Sequence, residues 1–302
     1  MTDAAPLQKS THVYKMFGVK VELDVYRPAG SAGRRPVVVW IHGGALIMGS
    51  RCGAPPHLLD FCRDRGFALV SIDYRLAPQV QAPEIVGDVK DAFRWMRSEA
   101  GDAAGLDPGK IAVAGASAGG YLTLMTGVVV EPKPRALVSY YGYGDVDAEW
   151  YTQPSEHYRT VVPLYTREEA LGGIGDGVVT SPTDEAQGAA RRRYYHHLRQ
   201  NGLWTREVTG YDPATERARL DALCPVRNVT AGYPPTLLIH GTADTDVPYD
   251  RSENMAAELR RQGVEHELVT IPGAEHGLVG VDQALVDRAN EQARAFLARH
   301  LG

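Results

Sequence analysis

The chain has 302 residues and 44% hydrophobic side chains, enough to bury a sizeable core as one large domain or two small ones, which excludes a disordered or fibrous protein. A formal net charge of −5 supplies no basic field for nucleic acid or an anionic membrane surface. Recognition therefore falls to a local site, and no nucleic-acid or membrane partner is expected.

The N-terminal MTDAAPLQKSTHVYK carries neither an apolar signal core nor a small-residue cleavage site, and no apolar run approaches ~20 residues, so a cytoplasmic protein is expected. VKVELDVYRP, residues 19 to 28, alternates in polarity and reads as an antiparallel edge strand. Short β-branched runs follow at 36 to 42, 67 to 74, 110 to 115, 136 to 142, 234 to 241 and 266 to 271. Helical patterns separate them at about 83 to 100, 117 to 130, 249 to 262 and 281 to 300. Near-continuous apolar strands alternating with helices predict an α/β fold, a mostly parallel central sheet flanked by helices on both faces.

Between 145 and 232 the rhythm breaks into stretches such as WYTQPSEHYRTVVPLY and RRRYYHHLRQNGLW. A segment so long needs its own structure, so a helical cap over the sheet is expected, inserted after the strand that follows the helix at 117 to 130. The core is then 1–144 with 233–302, and the cap is 145–232. The cap's aromatic side chains read as a pocket lining suited to small or aromatic ligands. Its basic run RRRYYHHLR reads as a solvated helix face. Cys52, Cys62 and Cys224 show no zinc or redox spacing and read as reduced thiols packed as small apolar residues; no metal or cofactor is expected.

The chemistry concentrates at strand ends. Gly115-Ala116-Ser117-Ala118-Gly119 is GxSxG between an apolar strand and a helical pattern, the context in which a tight turn lifts a serine hydroxyl above a sheet. A serine is a weak nucleophile until a base and a third, orienting group activate it. In this fold class the acid and then the histidine follow the serine. Asp244 and Asp246 in IHGTADTDVP are both candidate acids, and His276 in PGAEHG is the candidate base. His196 and His197, in the cap, and His266, at a strand start, read as structural or solvated. His42-Gly43-Gly44-Ala45 follows an apolar strand and offers backbone N–H groups which, with that of Ala118, can receive a developing oxyanion.

The combination HGG at 42, DYRLAP at 73, GASAGG at 115, HGTADTDVP at 240 and PGAEHG at 272 resembles the hormone-sensitive-lipase-like (α/β-hydrolase fold-3) group of serine esterases. The resemblance covers about residues 20 to 300. It implies the α/β-hydrolase fold, a Ser117–Asp244–His276 triad, and an oxyanion hole of Gly44, Ala45 and Ala118, with Gly43 shaping the turn. Asp244 is selected by its place three residues after the glycine, leaving Asp246 as a turn or cap residue before the next helix. Where the group carries HGGG this chain has Ala45, whose N–H survives but for which a positive φ costs energy. The implied function is hydrolysis of small to medium carboxylic esters through an acyl-enzyme, with an ester as the partner molecule, and the resemblance admits a homodimer. An amidase or peptidase using the same triad and a catalytically silent binding protein are the alternatives. Asp73 and Arg75 are expected to brace their loop as an ion pair, and Tyr121 to pack.

Overall fold

A computed structural model describes residues 5–30 and 33–302. Eight strands form one sheet: β1 (Leu7–Met16), β2 (Lys20–Pro28), β3 (Arg35–Ile41), β4 (Ala68–Ile72), β5 (Leu106–Ala116), β6 (Leu137–Tyr140), β7 (Thr236–Gly241) and β8 (His266–Ile271). Their order is β1-β2-β4-β3-β5-β6-β7-β8. The pairs β1/β2 and β2/β4 are antiparallel and all others parallel. The stretch expected at the edge, β2, is antiparallel but not at the edge, because β1 covers it. β1 escaped the sequence reading for a physical reason: most of its side chains face solvent, so it shows no hydrophobic period.

The central strands β3 to β7 are largely buried on both faces, whereas β8 at the edge is mostly not. Val37, Val39 and Ile41 of β3 point into one core, and Val38 and Trp40 into the other. The first core packs against α2 (Ala82–Met96) and α4 (Ala118–Val129) through Ile85, Val89, Phe93, Leu122 and Met125. The second packs against α1 (Pro56–Arg65) and α12 (Gln283–Leu301) through Leu58, Phe61, Phe296 and Leu297. The remaining core helices are α3 (Glu99–Ala103) and α11 (Asp250–Arg261). No helix among the described residues is long and apolar enough to cross a membrane.

The segment between β6 and β7 is helical, with α5 (Glu149–Thr152), α6 (Glu156–Thr160), α7 (Arg167–Leu171), α8 (Glu185–Asn201), α9 (Trp204–Thr209) and α10 (Arg217–Asp221). Its principal helix, α8, starts where the Asp184 side chain accepts from the Gln187 N–H and stops at Gly202 in the left-handed region. Its basic run is not a solvated face. Arg191 and Arg199 are 0% and 3% exposed, and Tyr194, Tyr195, His197 and Leu198 are buried with them.

Nor do the segment's rings simply line a pocket. Tyr151, Tyr158, Tyr194 and Trp204 join the first core, and Trp204 stacks on Tyr151 at 3.8 Å. Trp150, Tyr151, Tyr158 and Tyr195 surround the Arg199 guanidinium at 4.9 to 5.7 Å from their ring centroids. This internal cation–π cage is already filled by a cap-segment side chain.

Two further expectations are corrected. Asp73 and Arg75 do not pair: Arg75 donates to Asp88 of α2 at 2.8 and 2.7 Å, while Asp73 pairs with Arg51. Their backbones lie at a strand end between two approaching elements, and each side chain finds the nearer partner. Of the cysteines, Cys62 and Cys224 are buried as expected, but Cys52 is exposed.

Candidate active site

Ser117 sits between the end of β5 and the start of α4 with φ 56° and ψ −122°. A non-glycine residue in that region is strained, and the surrounding packing must enforce it. The Ser117 N–H donates to Tyr140 O at 2.9 Å, locking the turn to β6. A Cβ on Gly119 would fall 2.0 Å from Ile41 O, so only glycine lets α4 start this close to β3. Tyr121 packs as expected, stacked on Tyr143 with its hydroxyl donating to Leu223 O.

Two later loops meet this serine. His276 Nε2 lies 3.1 Å from Ser117 Oγ, and His276 Nδ1 lies 2.8 Å from Asp244 Oδ2. The carboxylate can only accept, so Nδ1 carries the proton and Nε2 is left to accept from the serine. The two loops are cross-tied: Ala243 N–H donates to Ala274 O, and Thr245 donates through N–H and hydroxyl to the Glu275 carboxylate. The Tyr141 ring stands edge-on to the imidazole at 4.9 Å.

Asp244 is saturated. Oδ1 accepts the N–H groups of Asp246 (2.9 Å) and Val247 (2.8 Å), and Oδ2 accepts His276 and, at 3.2 Å, His240 Nε2. His240 is fully buried; its Nε2 faces two acceptors, Asp244 and Val247 O, and so donates, while Nδ1 meets Ser252 Oγ at 2.7 Å. Burial works to raise the Asp244 pKa, but the hydrogen bonds of His240 and His276 outweigh it and hold the carboxyl well below the usual carboxylate range. His276 shows the complementary balance: burial lowers its pKa, while the Asp244 hydrogen bond and the charges of Asp246 and Asp244 leave it raised.

Asp246 departs from expectation. The next helix begins at Asp250 with no side-chain cap, so Asp246 does not cap it. Its Oδ1 instead accepts from Tyr195 Oη (2.5 Å) and Arg199 Nη1 (2.5 Å) of α8. Its Oδ2 lies 3.5 Å from His276 Nε2. The second aspartate therefore bridges α8 and the Nε2 end of the histidine.

The loop after β3 lies against the serine: a Cβ on Gly43 would fall 3.2 Å from Ser117 Cβ. Gly44, Ala45 and Leu46 run consecutively at φ 111°, 57° and 64°, so the strain anticipated at Ala45 is present and extends to Leu46. Among the described residues, none of the Gly43, Gly44, Ala45 and Ala118 amides is used by a turn or cap hydrogen bond. The loop is held through its carbonyls. Trp204 Nε1 donates to Ala45 O (3.1 Å), Arg191 Nη1 to Ile47 O (2.8 Å) and Ala77 O (2.7 Å), and Ala77 N–H to Leu46 O (2.8 Å). Arg191 is buried without a carboxylate; burial pulls its pKa down to about 10, and it remains charged at neutral pH. His42 stacks on Tyr74 at 4.2 Å and donates from Nδ1 to Gly43 O; burial lowers it to about 4, so it is neutral at neutral pH.

The structure thus brings together Ser117, Asp244 and His276, with Gly43 and Ala118 beside the serine and Gly44 and Ala45 following in the same loop. Sequence reasoning missed His240, Arg191, Trp204 and the Tyr195–Arg199–Asp246 cluster. One signal was present: Arg191, Tyr195 and Arg199 recur every fourth residue and so share a helix face.

The alpha/beta hydrolase fold family is matched over residues 38–280, and the chain belongs to that family. Esterase LipC of Mycobacterium tuberculosis (strain ATCC 25618 / H37Rv) is 30% identical over 267 residues, covering 87% of this chain and 58% of that protein. The non-reducing polyketide synthase ausA of Aspergillus calidoustus is 28% identical over 338 residues, covering 94% of this chain. The chain spans only 14% of that synthase's length. Among solved structures, a thermophilic esterase from Thermogutta terrifontis with butyrate bound aligns with a TM-score of 0.67 and 25% identity, covering 98% of this chain and 94% of that one.

Proposed function

We propose that this α/β hydrolase is a serine carboxylesterase acting on small to medium esters through an acyl-enzyme. The observation that carries the reading is the continuous chain Ser117 Oγ, His276 and Asp244, at 3.1 and 2.8 Å, set on a strained elbow beside unused backbone amides. Ser117 Oγ attacks the ester carbonyl while its proton passes to His276 Nε2, and Asp244 stabilises the resulting imidazolium. The carbonyl oxygen, now negative, is received by the N–H groups of Gly44, Ala45 and Ala118, with Gly43 shaping the turn. Collapse expels the alcohol, which takes the proton from Nε2. Water then attacks the acyl-enzyme with the same imidazole as base, restoring Ser117.

Residues 145–232 act as the cap of this site. In support, Trp204 and Arg191 reach the oxyanion loop, and Tyr195 and Arg199 reach the acid loop. Similarity to proteins named as esterases in M. tuberculosis and T. terrifontis supports the same substrate class. Ser117→Ala is expected to lower kcat on p-nitrophenyl butyrate by about a million-fold, as for loss of a serine nucleophile. Wild-type turnover by that variant would reject the proposal.

A further inference from the structure

We propose that Asp246 Oδ2 is a leaving-alcohol subsite that takes a hydroxyl, so that the preferred esters are those whose alcohol carries a second hydroxyl beside the ester oxygen, as in monoesters of diols and other polyols. The inference deepens the esterase reading and rests on it.

The first support is the division of the Asp246 carboxylate. Oδ1 is occupied by Tyr195 and Arg199, while Oδ2 faces His276 Nε2 across 3.5 Å. The Tyr158 hydroxyl also hydrogen-bonds this carboxylate and is pushed far up by burial first and by the Asp246 charge second, so it stays neutral and donates; with about four acceptor sites on a carboxylate, these three donors leave room for one more. The side chain is 17% exposed, in contrast to Asp244 at 0%.

The second support is what Nε2 must do. It gives its proton to the departing alkoxide, so the leaving oxygen has to come within ~3 Å of it. An acceptor 3.5 Å from that same nitrogen is consequently a close neighbour of the leaving oxygen. A hydroxyl one carbon further along the alcohol reaches Oδ2 with ordinary hydrogen-bond geometry. An alkyl group placed there strips water from a carboxylate oxygen and returns nothing, which is the larger part of the discrimination.

The third support decides between a hydroxyl and a cation. Asp246 is already neutralised by Arg199 at 2.5 Å, and that arginine is itself buried. The pair presents an acceptor without net charge, so a hydroxyl gains its hydrogen bond while an ammonium group gains little attraction to offset its own desolvation.

The test compares kcat/KM of the full chain on three butyrates of near-equal size: hydroxyethyl, methoxyethyl and propyl. The methoxyethyl ester matches the inductive effect of the hydroxyl but cannot donate. Wild type is expected to favour the hydroxyethyl ester over both others by about tenfold. In the charge-neutral double variant Asp246→Leu/Arg199→Met, whose folding is checked by circular dichroism and whose elbow is checked by fluorophosphonate labelling, the preference is expected to fall to about one. A wild-type ratio near one with Ser117 labelled overturns this proposal alone, as does a preference that survives in the double variant. Failure of all three esters together with failure to label Ser117 overturns the esterase reading as well. If the double variant does not fold, a wild-type ratio near one still overturns the proposal. A wild-type preference is then assigned by Asp246→Asn, which places a donor at the Oδ2 position and is expected to abolish it; a surviving preference overturns the proposal.

Discussion

Asp244 and Asp246 stand two residues apart in one loop but belong to different regions of the molecule. Asp244 is turned into the core, where His240, His276 and two backbone amides saturate it. Asp246 is turned toward the cap, where Tyr195 and Arg199 of α8 hold it. The same contrast runs through the whole site. The core supplies the proposed reacting groups, whose positions follow from backbone geometry at strand ends. The proposed cap supplies buried side chains that hold this arrangement at two points, Arg199 on the His276 side and Arg191 with Trp204 on the loop after β3. On the proposed reading, core and cap divide the work into making the groups reactive and keeping them placed.

The contrast breaks first if the aspartates are exchanged in importance. Asp244→Asn retains the shape of the side chain but favours the wrong His276 tautomer, and kcat is expected to fall by about 10,000-fold. Steady-state kinetics on p-nitrophenyl butyrate reads the loss. An equal loss in Asp246→Asn would erase the distinction.

Asp246→Asn is expected instead to move the pH profile. Burial lowers the His276 pKa, but Asp244 and Asp246 raise it, and the net shift is upward. In the proposed mechanism the neutral imidazole is the base, so kcat/KM is expected to be lost as pH falls through this pKa. Removing one negative charge favours the neutral form, and the acid limb should move to lower pH. A limb that stayed in place, or moved upward, would show that Asp246 does not act on His276.

The cap's grip on the oxyanion loop is sharpened by Trp204→Phe. The ring core is largely kept, but the Ala45 carbonyl loses its donor. A several-fold fall in kcat with little change in KM is expected, because misplaced oxyanion donors act on the transition state. The smallest effect belongs to Ala45→Gly. Relieving a positive φ of 57° should raise stability by up to about 1 kcal/mol in urea denaturation. A comparable loss of stability would mean that this turn is not strained at Ala45.

What was legible in the amino-acid sequence follows the same division. The elbow at Ser117 announces itself because glycines there are demanded by backbone contact, and the strands because both faces are buried. Strain at Ala45 was readable from one substitution in a glycine-rich turn. The cap was readable only as a helical insertion. Arg191 and Arg199 belong to a residue type that normally faces water, and their burial depends on partners far along the chain, at Ile47, Ala77 and Asp246. The Asp73–Arg75 pairing failed similarly, since Asp88 and Arg51 approach from other elements. Local pattern records what the backbone requires; it does not record which charged side chain meets which.

The most direct measurement is to react the protein with a fluorophosphonate and locate the adduct by peptide mass spectrometry. The account expects one adduct, on Ser117, formed rapidly in wild type and absent from Ser117→Ala. Its formation should be slowed by orders of magnitude in Asp244→Asn and only slightly in Asp246→Asn. An adduct on another serine, or none on a folded protein, would contradict the assignment of Ser117, His276 and Asp244 as the reacting groups.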